Sequence, residues 1–365
     1  MLGPARPLLR VSPLGFLAFV VSVAYWPGIL GQTTTPRWVA LAIGLALVSR
    51  LDPRKVEPKI LCLLSLGLAW AAVGLAWAPD RLAGMLQLFY FATFGLAFIA
   101  AAGEADFDGI MTGFALGIGV SSTLAIPQVF GWSPVVEFNV PAGLFFNREI
   151  LAELAAPVAV WAVLRRSPLA ALPLLPLALC QSRVGVLSAA LGLLYAWKVR
   201  TRTKVLALSI LAVAASASIL WLGPGKLYSG EERMAIWRAA AAGMTLFGRG
   251  IGWFQHAHPL YDTAHSDGLQ AFAELGVGAL FWLAIPALIF WRKRGSDVER
   301  AVLAAACVEA AVSFPLHTPT TGFLGAVVAG FLACARPRLL LGQSVCRNDP
   351  GASVRWEEYA FRDYR

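Results

Sequence analysis

Residues 82–103 read LAGMLQLFYFATFGLAFIAAAG and contain no charged side chain. A helix of about 20 mostly apolar residues crosses the hydrocarbon core of a bilayer, so this stretch predicts a membrane-spanning helix. About twelve such apolar runs occur along the chain. They cover residues 11–30, 37–49, 60–78, 82–103, 109–130, 149–164, 168–180, 184–198, 205–222, 268–291, 301–316 and 320–335. The pattern predicts an all-α, polytopic integral membrane protein with about twelve transmembrane helices.

The composition excludes several other classes of protein. Apolar residues make up 58% of the chain and charged residues only 14%, whereas soluble domains carry about 25% charged residues. Five cysteines in 365 residues are too few for a disulfide scaffold. The apolar fraction also excludes intrinsic disorder. A membrane protein remains.

Basic residues indicate how the helices are oriented. With a cytoplasmic N-terminus and twelve crossings, 22 of the 30 Lys and Arg residues fall in cytoplasmic segments, as the positive-inside rule expects. This arrangement predicts one transmembrane domain over residues 1–335, with outer loops at 131–147 and 223–267. Residues 336–365 become a cytoplasmic tail. The basic clusters anchor loops, so we expect membrane lipid and no nucleic acid as a partner.

The longer outer loop contains a short helix and a glycine-rich turn. Residues 231–247 have helix-forming composition, and Ser229 or Gly230 is a candidate cap. Arg233 and Trp237 lie four residues apart and share a face. The helix either lies on the membrane surface or presents Arg233 to an anionic ligand. The following GRGIGWF, 248–254, predicts a structural turn rather than a dinucleotide fingerprint.

All four histidines fall on the outer side. His256 and His258 are separated by one residue, and His265 and Asp267 precede the next apolar run. No carboxylate stands at a spacing typical of a metal site, so we expect no metal. A histidine beside basic groups stays neutral at pH 7 and suits proton transfer. A purely structural histidine is the alternative.

Arg183 and Arg148 lie at predicted membrane boundaries. Arg183 has no acidic neighbour in the sequence, and charges at such positions usually serve a function. Arg148 precedes Glu149 and Glu153, so a structural ion pair is its alternative. Arginines bind phosphate oxygens through two parallel hydrogen bonds, which makes a membrane-embedded diphosphate a natural ligand. Two further carboxyls, Glu274 and Glu309, lie inside predicted spans, and their roles stay open.

Several motifs, taken in order, resemble the O-antigen ligase and O-antigen polymerase family of bacterial membrane glycosyltransferases. The blocks are GLFFNREILAEL (143–154), QSRVGVLSA (181–189), ERMAIWRAA (232–240), GRGIGWF (248–254), AHSDGLQAFAELGVGAL (264–280) and FPLHTPTTGFL (314–324). Together they cover about residues 143–335. The chain departs from the family pattern at Arg148 and Ser266, where the family usually has Asn.

The resemblance implies an all-helical, GT-C-like transferase without cofactor or metal. Its donor would be a glycan on polyprenyl diphosphate, and its acceptor a hydroxyl of the lipid A core or of another glycan. His265 would be the general base, while Arg183 and Arg233 would hold the diphosphate. The remaining substrate-binding residues would be Asn147, Arg148, Trp237, His258, Asp267 and Glu274. The site would face the periplasm from the inner membrane.

Two other functions stay open. The polymerase reaction joins lipid-linked repeats and differs from the ligase reaction only in its acceptor. A flippase or transporter of a lipid-linked or anionic substrate would also use an arginine-lined cavity. Transporters usually show internal repeats with interrupted helices, and we find no matching halves. A scaffold without activity would leave Arg183 and His265 unexplained.

Overall fold

The computed structural model describes residues 11–27, 32–48, 51–133, 140–196, 228–259 and 263–335. This part of the chain is all-helical and contains no β-strand. The α-helices are α1 (Pro13–Val23), α2 (Thr35–Val48), α3 (Pro58–Gly74), α4 (Arg81–Ala102), α5 (Phe107–Val129), α6 (Arg148–Arg165), α7 (Ala171–Cys180), α8 (Arg183–Tyr195), α9 (Tyr228–Ala242), α10 (Trp253–Ala257), α11 (Asp267–Leu275), α12 (Ala279–Trp291), α13 (Asp297–Val312) and α14 (Pro319–Leu332).

The predicted apolar runs correspond to these helices. Every run except 205–222 overlaps at least one of them, and that run lies outside the described residues. Among the described residues, four helical segments are long and apolar enough to cross a membrane: Pro58–Trp77, Arg81–Ala102, Phe107–Val129 and Asp267–Trp291. The other apolar helices are shorter. The all-α membrane architecture is thus supported, while the count of twelve crossings stays a prediction.

Two boundaries differ from the sequence prediction. The helix expected over 231–247 is α9, which begins at Tyr228 and ends at Ala242. Residues 243–247 form turns and irregular structure between α9 and the glycine-rich turn. The run 268–291 is divided by a 3₁₀ turn at Gly276–Gly278 into α11 and α12. Parts of both outer loops, and the whole tail 336–365, lie outside the described residues.

The packing of α6, α8 and α13 determines where the polar residues meet. A side chain at Gly185 of α8 would touch Ala152 of α6, and one at Gly192 would touch Val160. The two helices are therefore parallel and begin at the same end of the bundle.

The orientation of α13 follows from its contacts with α8. Ser188 of α8 donates to the carbonyl of Ala305 at 2.8 Å. Because Gly192 lies against Ala301, α13 is antiparallel and ends where α6 and α8 begin. We call this end the site end.

The opposite end is fastened by ion pairs. Glu57 pairs with Arg292 and with Arg294, which lies 2.7 Å away. Arg294 also donates to the carbonyl of Cys334 at 2.9 Å. These contacts tie the start of α3 to the ends of α12 and α14. The basic residues predicted to face the cytoplasm include this pair of arginines.

Close helix contact through small residues yields a stability prediction for α14. A Cβ at Gly330 would stand 2.1 Å from the carbonyl oxygen of Phe98, a backbone atom that cannot rotate away. A Cβ at Gly325, on the same helix, would have no neighbour within 4 Å. We expect Gly330→Ala to destabilise the protein by about 1–3 kcal/mol and Gly325→Ala to be neutral or slightly stabilising. Thermal unfolding in one detergent compares the two, and equal melting temperatures would contradict this packing.

Candidate active site

Arg233 on α9 connects three elements at the site end. Its Nη2 donates to Oε2 of Glu149 on α6 at 2.9 Å, and its Nη1 donates to the carbonyl of Val312 at 3.3 Å. The side chain of Arg233 is 23% exposed. A guanidinium has five N–H donors, so the contacts within the described residues leave three for a ligand. Arg233 is therefore both a link between helices and a cation that an anion can reach.

His265 lies beside this arginine in an unusual backbone conformation. Its φ of 50° is left-handed, a region that costs most residues about 1–2 kcal/mol. The Nε1 of Trp237 on α9 donates to the carbonyl of His265 at 3.2 Å. The imidazole packs edge-on against Phe314, with ring centroids 4.9 Å apart. Because α9 and residue 314 hold its backbone and its ring, His265 has a defined position.

The surroundings of His265 favour its neutral form. Burial lowers the pKa of the imidazole below its ordinary value, and the charge of Arg233 lowers it further. Glu149 and Glu232 act in the opposite direction. The Nδ1 atom is buried and has no hydrogen-bond partner among the described residues. A neutral imidazole can accept a proton, which is the requirement for a general base.

Asp267 is the first residue of α11 and has its carboxylate fully engaged. Its Oδ1 lies 2.9 Å from Nδ1 of His317, and its Oδ2 accepts the backbone N–H of Leu316 at 2.9 Å. On its other side, Nε2 of His317 lies 3.1 Å from Nε2 of Gln87 on α4. The side chain of Asp267 is 5% exposed. The structure thus gives Asp267 partners within the protein, where the sequence predicts contact with substrate.

Glu274 likewise bonds to protein groups. Its side chain is buried, and Oε1 accepts from the backbone N–H of Phe254 and from Gln270, both at 3.1 Å. Its carbonyl accepts from the backbone of Gly250 at 3.0 Å. The glycines of segment 248–252 have positive φ angles of 76°, 96° and 80°, a conformation suited to glycine. The predicted structural turn is confirmed, and Glu274 holds it against α11.

Asn147, Arg148 and Arg183 also lie at the site end. The Asn147 side chain caps α6 by accepting from the backbone N–H of Glu149 at 2.9 Å. Arg148 is half-buried, and Arg183 is exposed as the first residue of α8. Neither arginine has an ion pair within the described residues. Glu149 pairs with Arg233 instead and Glu153 accepts from Ser313, so the structural Arg148–Glu pair that was the alternative does not form among the described residues.

His258 is not brought into contact with this group. Its ring packs against Trp253 and Phe254, with centroids 5.8 and 4.9 Å away. No described contact joins it to Arg233 or His265, and His256 is exposed. Within the described residues, no three His, Cys, Asp or Glu side chains lie together so that they could hold a metal ion.

Two carboxyl groups lie inside the bundle below the site end. Glu153 and Glu309 are only 1% and 2% exposed. Each has one oxygen without a hydrogen-bond partner in the described part of the chain. Glu153 accepts a hydrogen bond from the hydroxyl of Ser313. Ser313 lies two residues before the 3₁₀ turn Pro315–His317. Both groups are buried between the helices and do not lie on the exposed surface of the site.

An apolar cavity lies apart from the polar group. It has a volume of about 460 Å³ and lies between α2 and α4. Its lining includes Trp38, Leu86, Phe89 and Tyr90, whereas Gln87 of the same helix bonds to His317. The lining of the cavity therefore contains no charged side chain. The charged and titratable candidates are the residues at the site end, among them Arg233, His265 and Asp267.

Sequence reasoning did not single out three residues that shape this site. Arg37 donates to the carbonyl of Leu144 at 2.8 Å and lies 4.0 Å over the ring of Phe145. Gln87 and His317 complete the chain of contacts from α4 to Asp267. Gln87 was detectable as a polar residue inside an apolar span, a position that usually has a partner. His317 belongs to the motif FPLHTPTTGFL (314–324), but no local pattern connects it with Asp267.

Compared with known proteins, the chain matches no family model and no curated protein. The interpretation of the site therefore depends on the geometry of its residues and on the motifs to which they belong.

Proposed function

We propose that this chain is an O-antigen ligase-like glycosyltransferase of the bacterial inner membrane. It would move a glycan from polyprenyl diphosphate to an acceptor hydroxyl, such as one on a lipid A-core sugar, on the periplasmic face. The observation that carries the proposal is the juxtaposition of Arg233 with a neutral, partly buried His265. The same end of the bundle carries Arg148 and Arg183 without acidic partners in the described residues.

The proposed step is a direct displacement at the anomeric carbon. His265 accepts the proton of the acceptor hydroxyl through Nε2, because Nδ1 is closed off by burial. The acceptor oxygen forms the new bond from the face opposite the diphosphate, which inverts the configuration. The bond between the sugar and the diphosphate breaks, and the diphosphate leaves with the electron pair. No metal or cofactor takes part.

Arg233 and Arg183 stabilise the charge that develops on the leaving group. Guanidinium groups remain charged and bind phosphate oxygens in pairs. Charge stabilisation arranged before the reaction is usually the largest single contribution to catalysis. Asn147, Arg148 and Trp237 line the donor side of this site. Asp267, Glu274 and His258 were expected to bind substrate; the protein contacts of Asp267 and Glu274 favour a supporting role, whereas His258 packs on Trp253 and Phe254 away from Arg233 and His265.

Deleting the gene in its host and comparing surface glycans on a gel tests the proposal. Loss of all long glycan from the acceptor, with lipid-linked polymer accumulating, supports a ligase. A single repeat left on the acceptor indicates the polymerase reaction instead. Unchanged surface glycans would contradict both and favour a transporter. Complementation with Arg183→Ala beside wild type shows whether the predicted clamp is required.

The pH dependence of transfer tests the role of His265. A base must be unprotonated, so the transfer rate should fall as pH decreases through the pKa of His265. Because burial and Arg233 lower that pKa below its ordinary 6.5, the rate should stay on its plateau at pH 7 and decline only in more acidic solution. His265→Gln should remove this acidic decline from the residual rate. A decline centred above pH 7 in wild type would contradict the assignment.

A further inference from the structure

We propose that Asp267 and His317 form a latch that positions His265, and that the latch is what keeps its imidazole buried. The inference rests on the proposed function only for the catalytic role of His265. The contacts of the latch do not depend on that role. We define the latch as Asp267, His317 and the segment 313–317 that they fasten. Both residues act through His265 and are positioning residues.

The latch joins two segments that are distant in sequence. Asp267 follows His265 by two residues, and its backbone N–H donates to the carbonyl of Ser313 at 3.0 Å. Its carboxylate receives the backbone N–H of Leu316 and contacts the ring of His317, each at 2.9 Å. Three bonds from one residue therefore fix segment 313–317 against the start of α11.

The aromatic ring that packs against His265 belongs to Phe314, which lies in segment 313–317. Phe314 lies between Ser313 and Leu316, the two residues whose backbone groups Asp267 binds. Its ring covers the imidazole at a centroid distance of 4.9 Å. If segment 313–317 is released, this ring is free to leave and water reaches His265. The latch thus controls the burial that lowers the base's pKa.

His317 is well placed for this role and poorly placed for contact with substrate. Its side chain is only 10% exposed, and both ring nitrogens lie within hydrogen-bond distance of protein groups, Asp267 and Gln87. Burial alone would lower the pKa of His317, but the bond and the charge of Asp267, helped by Glu274, raise it overall. Gln87 attaches the latch to α4, one of the long apolar helices.

The charged groups around His265 would still act after the latch opens. Arg233 and Glu232 on α9, together with Glu149 on α6, influence its titration. None of them belongs to the latch, so opening it changes mainly the burial of the imidazole. The pKa of His265 should then move upward toward 6.5. This direction distinguishes the latch from a residue that merely contributes to overall stability.

Titration of labelled histidines measures the effect directly. The full chain, labelled with ¹³C and ¹⁵N only at its four histidines, is placed in lipid nanodiscs and followed by NMR as the pH is changed. The signal that disappears in His265→Gln identifies His265. We expect its midpoint to rise in His317→Ala and to remain near the wild-type value in His317→Gln, whose amide N–H can still donate to Asp267.

Two variants complete the test. His258→Ala removes a histidine outside the latch and should leave the midpoint of His265 unchanged. Asp267→Ala carries the test if His317→Ala does not fold, because it removes both carboxylate oxygens that bind Leu316 and His317. An unchanged midpoint in folded His317→Ala, or in folded Asp267→Ala, overturns the latch. A shift without any glycan transfer by wild type would instead leave the latch in place and refute the transferase.

Discussion

Arg233→Ala is expected to lower glycan transfer by about 100- to 1,000-fold while the protein still folds and inserts. Removing one preorganised donor from a site of developing negative charge typically costs this much. Arg233 has three N–H donors that the described residues leave unused. These donors, and the fixed charge, would meet the leaving diphosphate. Arg233→Lys should recover only part of the rate, since an ammonium lacks the planar pair of donors.

Controls must separate this contribution from the structural role of the same side chain. Glu149→Gln weakens the ion pair at 2.9 Å but leaves the guanidinium in place. If Arg233 matters through the ligand, Glu149→Gln should keep most of the activity. Arg238→Ala removes an exposed arginine from the same helix and should be nearly silent. Turnover is measured with purified protein and a lipid-linked donor, and a wild-type rate in Arg233→Ala would refute the clamp.

The sequence predicts the helices well because their signals are local. Apolar runs define the spans, whereas the predicted cap at Ser229 or Gly230 is wrong, because α9 begins already at Tyr228. The break at Gly276–Gly278 was missed because hydropathy does not register it. A glycine is needed there since a Cβ at Gly278 would collide with the ring of Trp70, which is contributed by a distant helix.

The candidate site was predictable in its residue types but not in its pairings. Arg233 and His265 were identified from charge, position and motif. Their partners come from far away in the chain: Glu149 is 84 residues from Arg233, and Gln87 is 230 residues from His317. No local pattern contains that information. Hence Asp267 and Glu274 were expected to contact substrate, although the fold surrounds them with protein donors.

Charge placement connects the fold with the proposed chemistry. The carboxyls of Glu153 and Asp267 are buried and bonded to protein groups near the site end, whereas Arg148 and Arg183 have no acidic partner there among the described residues. Two further carboxylates lie near His265: Glu149 is paired with Arg233, and Glu232 is exposed. Under the proposed function, Arg148 and Arg183 would bind the diphosphate, because no acidic side chain among the described residues pairs with them.

Replacing His265 should separate donor binding from transfer. His265→Gln is expected to reduce the transfer rate by about 10²–10⁴, the usual contribution of a general base. Binding of the lipid-linked donor should remain near the wild-type level, because the arginines that meet the diphosphate are unchanged. Single-turnover rates measure the first effect, and retention of labelled donor by protein in nanodiscs measures the second. His258→Gln is the matched control, since His258 packs on Trp253 and Phe254 instead.

The combination of the two measurements decides how His265 acts. A general base contributes only when the acceptor hydroxyl loses its proton, so its removal should affect the chemical step and spare the bound donor. The depressed pKa makes the imidazole a weaker base but keeps it unprotonated at neutral pH. Loss of donor binding in His265→Gln, with transfer reduced in proportion, would instead make His265 a ligand of the diphosphate. Unaltered transfer would remove it from the mechanism and leave Phe314, Trp237 and the latch holding a histidine for structural reasons alone.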